Sequence, residues 1–235
     1  MKKILYTAET RGHVNHGWLD AHHSFSFGSY YDPSRVHFGM LRVLNDDIVQ
    51  GGMGFGMHPH DNMEIVTIPL SGALEHKDTT GGAGVIKQYD VQVMSAGSGL
   101  YHSEFNHSKT DAVNLLQIWV FPKEKNITPR YDQKTYLPTD RINKLQIVVA
   151  PNDTEALYVH QDTWFSLGNF DAGKSVDYNF NKEGHGVYLF VIEGSVTVDN
   201  TLLNKRDAIG IYETNTIKIS ANTSAEFLLI EIPMN

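Results

Sequence analysis

The residues most able to do chemistry fall in two short spans. His58-Pro59-His60 follows a glycine-rich run, and His102-Ser103-Glu104 follows the turn Ala96-Gly97-Ser98-Gly99. In a strand, residues i and i+2 point to the same side, so each span presents two donor side chains to one face. Two such pairs on neighbouring strands can converge on one point. Three imidazoles and one carboxylate suit a first-row ion such as iron(II), manganese(II), nickel(II), copper(II) or zinc(II). On an octahedral ion, four protein ligands leave two open positions for a substrate or dioxygen. With 12 histidines in 235 residues, one His-x-His pair arises by chance about half the time. The second pair and the glycine-rich approach to the first are what make a constellation of them.

Glu64 is a second carboxylate close to the first pair. Its even offset from His60 keeps it on the ligand face if the strand runs straight through. At about 3.3 Å per residue, it would then sit about 13 Å beyond His60, against about 7 Å from His102 to Glu104. Ligation by Glu64 therefore needs a turn or bulge, and ligation by Glu104 does not. Among the other histidines, His107 has an odd offset from His102. His13, His16, His22 and His23 read as structural residues of the N-terminal segment, and His160 and His185 as isolated surface or structural residues. His23, Phe25 and Phe27 alternate like a strand lining a cavity. Asn106 shares the His102 and Glu104 face. Phe55, Met57, Met94, Phe105 and Trp119 are core candidates, of which one or two would form the flat apolar wall that an aromatic ligand needs.

The elements that must position these groups are strands. Period-two patterns and β-branched runs predict strands at 63–70, 85–89, 91–94, 114–121, 145–149, 187–192, 195–198, 217–220 and 226–232, separated by Gly- and Asn-containing turns. Helical periodicity is scarce, which suggests a jelly roll or sandwich. The two halves also resemble each other: IPLSGALEH with FVIEGSVTV, YDVQVMSAG with RDAIGIYET, and LLQIWVFP with FLLIEIP. Gly72 thereby aligns with Gly194, and Asp90 with Asp207. Three matches in the same order support a duplicated β unit, with a linker at 123–144. No His-x-His precedes Gly194, so one metal is expected, in the N-terminal half.

Composition narrows the partners. The net charge is −8 and no run of Lys or Arg occurs, which argues against direct nucleic-acid binding and against an anionic membrane surface. The absence of cysteine removes disulfides, thiolate metal sites and Cys nucleophiles. The N-terminus lacks a signal-peptide apolar region, and no stretch approaches the ~20 apolar residues of a membrane span. A cytoplasmic location is expected.

The segment GMGFGMHPHDNMEIVTIPLSG resembles the first cupin motif, and DVQVMSAGSGLYHSEFN the second. Within cupins the chain is similar to the pirins, through RGHVNHGWLDAHHSFSFGSYYDPSRVHFGMLRVLNDD, HPHDNMEIVTIPLSGALEHKD and MSAGSGLYHSEFN. The resemblance implies an all-β chain of two tandem cupin (jelly-roll β-barrel) domains. Residues 1–130 would form the metal-binding domain and residues 145–235 a degenerate one. It implies His58, His60, His102 and Glu104 as metal ligands, in preference to Glu64, which serves in most other cupins. It implies one divalent transition metal, iron(II) foremost, with Mn(II), Ni(II), Cu(II), Co(II) or Zn(II) also accommodated. The implied activity is that of a quercetin 2,3-dioxygenase: a flavonol and O2 are the substrates, the metal is a Lewis acid, and Glu104 accepts the flavonol hydroxyl proton. The alternative implied by the family is a non-catalytic metal- or redox-sensing regulator that binds a protein partner.

Overall fold

A computed structural model describes residues 1–235. The chain is almost entirely β and forms two jelly-roll sandwiches. In the first, a seven-stranded sheet has the order Arg130–Thr135, Asp90–Ser95, Glu64–Ser71, Val113–Val120, Leu41–Val49, Leu19–His23, Gly12–Asn15. A four-stranded sheet, in the order Gly54–His60, Leu100–Asn106, Ala73–Asp78, Ala83–Lys87, packs on it. Leu74 and Ile86 of the smaller sheet meet Leu19, Ala21, Val49, Val113 and Leu115 of the larger. In the second sandwich, strands at 2–6, 145–150, 157–158, 164–170, 185–193, 208–212 and 225–233 make the large sheet. The small one comes from 175–179, 196–198, 201–203 and 216–221.

The two large sheets lie back to back, and a cluster of 26 buried residues fills the space between them. Val66, Ile68, Val93, Leu116 and Ile118 come from one half, and Phe165, Leu167, Tyr188, Leu228 and Ile230 from the other. Each large sheet is thus covered on both faces. That explains runs such as VYLFVI, where every residue is buried, in place of the alternation of a sheet with one wet face. All nine expected strands form, within one or two residues at their ends. The proposed repeat also has matching structure. Gly72 and Gly194 both adopt positive φ, 75° and 76°, each where a Cβ would strike the backbone of the adjacent strand. Asp90 and Asp207 each accept the backbone N–H three residues earlier, from Lys87 at 2.9 Å and Asn204 at 2.8 Å.

Strand pairing departs from the expected division of 1–130 and 145–235 in two places. Lys2–Tyr6 pairs with Ala208–Tyr212, so the chain begins inside the second sandwich. The expected linker at 123–144 contains Arg130–Thr135, which extends the first large sheet by pairing with Asp90–Ser95. Its charge reads as linker because it is an edge strand, where charged side chains block further pairing. No helix is long and apolar enough to cross a membrane.

Candidate metal centre

Leu100–Asn106 and Gly54–His60 are antiparallel neighbours, with His102 opposite His58 and Leu100 opposite His60. A register shift falls between His102 and Glu104. Alternation buries Leu100, His102, Glu104 and Asn106 and leaves Tyr101 and Phe105 exposed. His58, His60 and His102 come together with ligand atoms within 4.8 Å of one another. The Nε2 atoms of His58 and His102 are 2.9 Å apart. Two nitrogens bound at about 2.1 Å and right angles to one ion would lie about 3.0 Å apart. His58 Nδ1 is 2.8 Å from Gly56 O; donating its proton there leaves a lone pair on Nε2. Burial first, then neighbouring imidazoles, push His102 down to about 2 and His60 to about 4. At neutral pH both rings are uncharged, the form that binds metal.

Glu104 is buried beside this group, within 4.8 Å of His102 and His76 at the ligand atoms. Gln117 donates to Glu104 Oε2 at 2.9 Å and accepts from Thr67 Oγ1 at 3.1 Å. Oε1 of Glu104 is buried without a partner. A buried carboxylate oxygen left unpaired is costly in a folded protein, and a cation on Oε1 removes that cost. This orphaned oxygen and the three converging nitrogens fit a divalent first-row metal.

Glu64 is elsewhere. The chain turns at Asp61–Met63, with Asn62 at φ 46°, and passes from the small sheet to the large one. Parity counted from His60 does not survive that turn. Glu64 lies on the outer face of the large sheet, toward the second sandwich. It accepts from Ser95 Oγ at 2.6 Å and lies 3.2 Å from His160 Nδ1. The straight-strand expectation that put Glu64 on the ligand face is therefore corrected, and His160 is an inter-domain contact.

His58 and His60 line a cavity of about 90 Å³, together with Glu104, Gln117 and Asp47. Phe55 and Trp119, both expected as wall candidates, do line it, whereas Met57 and Phe105 face solvent and Met94 packs with Ile65 and Leu100. His23 and Phe27 also line it, but Phe25 points into the inter-domain core. Asn106 instead ties the hairpin to Val49 O and Asp111 O at 2.9 and 2.8 Å. His107 is exposed, near Glu75. A larger cleft of about 330 Å³ lies between the halves. It contains no histidine, and its Arg141 and Arg206 are already paired with Glu226 and Asp46.

Sequence reasoning passed over three groups here. Asp47 has a buried, unpartnered Oδ1 and is pushed up to about 8 by burial, then by Asp46 and Glu104. Its neighbours in the sequence hid it among surface-like acids. His76 and Asp78 form a third i,i+2 pair, and that spacing was the available signal.

Glu104 is pushed up to about 7, mainly by burial. A metal held by Glu104 would need its carboxylate form, so protons would compete below that value. Affinity for Ni(II), read by titration calorimetry, is expected to level off well above pH 7 and to fall about tenfold per pH unit below it. A fall centred near 4, where His60 titrates, would remove Glu104 from the ligand set.

A family model described as pirin matches residues 6–120, and one described as quercetinase C-terminal cupin domain matches residues 147–232. The chain is 39% identical over 234 residues to a quercetin 2,3-dioxygenase of Escherichia coli, covering 97% of this chain and 98% of that protein. It is 39% identical over 222 residues to a pirin-like protein of Caulobacter vibrioides, covering 94% and 95%. The crystal structure of the bacterial pirin YhhW from Escherichia coli in complex with nickel(II) superposes with a TM-score of 0.93, at 38% identity and 99% coverage of each chain.

Proposed function

The chain belongs to the pirin family, and on that premise we propose that it is a metal-dependent dioxygenase acting on flavonols such as quercetin. The observation that carries the reading is the unpaired Oε1 of Glu104, a residue that groups with His102 at the ligand atoms and shares an apolar-walled cavity with His58 and His60. These four residues would hold one divalent metal, iron(II) being the expected ion. When bound, the metal supplies Lewis-acid activation of a hydroxylated substrate and the means to engage dioxygen.

The protein's own groups do the rest. Glu104, the buried carboxylate beside His102, would accept the hydroxyl proton. Gln117 holds its other oxygen in place. Trp119 stands edge-on to His60 and to Phe27, with ring centroids 4.8 and 5.2 Å away, giving a planar substrate aromatic surface to lie against. Leu19, Ala21 and Phe55 supply the rest of the apolar lining. At about 90 Å³ the cavity is below the ~300 Å³ of ordinary ligand sites. It admits the hydroxylated edge of a flavonol, with the remaining rings lying across the mouth.

The test is reconstitution with each metal in turn. Protein loaded with a redox-capable ion is expected to bleach quercetin absorbance while consuming oxygen, and the zinc form to bind flavonol but turn over poorly, since zinc has no redox chemistry. Failure with iron, manganese, nickel, copper and cobalt alike would replace this reading with that of a non-catalytic metal sensor that binds a protein partner.

A further inference from the structure

Ala73–Asp78 is the other neighbour of the ligand-bearing strand. Its register sets His76 opposite Glu104 and Asp78 opposite His102. Leu74, His76 and Asp78 face inward, and both polar residues are buried. His102 turns Nε2 toward His58 and Nδ1 toward His76, whose own Nδ1 is 3.4 Å away. On the far side, His76 Nε2 is 3.0 Å from Asp78 Oδ2. Tyr131, from the edge strand at 130–135, stacks on the His76 ring at 4.5 Å and 24°.

We propose that Asp78 and His76 are positioning residues that set the tautomer of His102. The proposal rests on the reading of His102 as a metal ligand. Each contact allows one proton, so the direction of the chain follows from its end. Asp78 Oδ1 accepts from Thr80 N, Thr80 Oγ1 and Gly82 N, at 2.8, 2.7 and 2.9 Å. Three donors on one oxygen favour the ionised carboxylate, which can only accept. His76 therefore carries its proton on Nε2, donates it to Asp78 Oδ2, and leaves a lone pair on Nδ1. That lone pair accepts from His102 Nδ1–H. The lone pair of His102 is then on Nε2, facing the site. Metal-bound histidines generally donate their second ring N–H to a carboxylate or carbonyl, which fixes the ring and raises its basicity. Here an imidazole carries that influence from a carboxylate one residue further out.

Asp78→Asn reverses the chain without changing its shape. The three donors of the turn still need an oxygen, so the new amide presents its NH2 to His76 Nε2. His76 must accept there, its proton moves to Nδ1, and His102 Nδ1 becomes the acceptor. The His102 proton then occupies Nε2, where the metal should bind. The expected result is a Ni(II) dissociation constant raised about 10–100-fold. In nitrogen-15 spectra of the metal-free protein, the protonated nitrogen of His102 is expected to move from Nδ1 to Nε2. A purely structural role for Asp78 would not move that proton. His76→Phe keeps the ring stacked on Tyr131, leaves the Asp78 turn intact and deletes the link; it is expected to weaken Ni(II) to a similar degree. Wild-type affinity in both variants, with the His102 proton unmoved, would overturn the relay alone. No Ni(II) uptake by the wild-type protein would instead overturn the metal reading on which it rests.

Discussion

Glu104→Gln is expected to strip the protein of metal and activity, and Glu64→Gln to keep both. An amide is a poor ligand for a first-row divalent ion beside three imidazoles, and Glu104, whose Oε1 is buried without a partner, groups with His102 at the ligand atoms. Loss of affinity is expected to exceed the about 10–100-fold typical of groups that only support a ligand, with turnover falling to background. Glu64 is fully buried, but its partners are Ser95 Oγ and, across the domain interface, His160. Neutralising it costs about 1–3 kcal/mol of stability through poorly satisfied partners, seen as a lower melting temperature at unchanged metal content. The measurement is metal content after dialysis against a weak chelator, alongside a thermal melt of each variant. Metal lost from Glu64→Gln and kept by Glu104→Gln would assign the fourth ligand to Glu64, the common cupin pattern.

A chain ending at Lys144 is expected to be insoluble. Removing the second sandwich uncovers Val66, Ile68, Val91, Val93, Leu116, Ile118 and Val120 at once. At about 1.5–3 kcal/mol per buried aliphatic side chain, that loss is roughly 10–20 kcal/mol, as large as the whole stability of a typical domain, about 5–15 kcal/mol. Lys2–Tyr6 also loses Ala208–Tyr212, its strand partner. What remains presents a wide apolar sheet face, which associates with itself. The expected readout is truncated protein in the pellet after lysis; a soluble monomeric fragment that retains Ni(II) would show that the second sandwich is dispensable.

The β character, nine of the 22 strands and the pairing of donors within His58–His60 and within His102–Glu104 were legible because they depend on local rules. Alternation along one strand puts His58 with His60 and His102 with Glu104 whatever the rest of the chain does. The duplication was legible for a related reason: Gly72 and Gly194, and Asp90 and Asp207, each complete a turn within a few residues. The N-terminal strands were harder to see. HVN, in the edge strand, and LDAHH beside it carry histidines and an acid, and the burial that would mark them as strands comes from distant segments.

The sequence by itself determined which donors are paired, because a strand's side-chain period survives as long as the strand is straight. Only the tertiary structure decided which pairs meet. The turn at Asp61–Met63 sends Glu64 into a different sheet and onto its outer face, so counting by twos from His60 fails at that point. Strand register, set between segments distant in sequence, brings His76 and Asp78 beside His102 and Glu104. It also places the first strand of the chain in the second sandwich. Such pairings are chosen by the fit of whole faces in the folded core, and no spacing within a single segment records them.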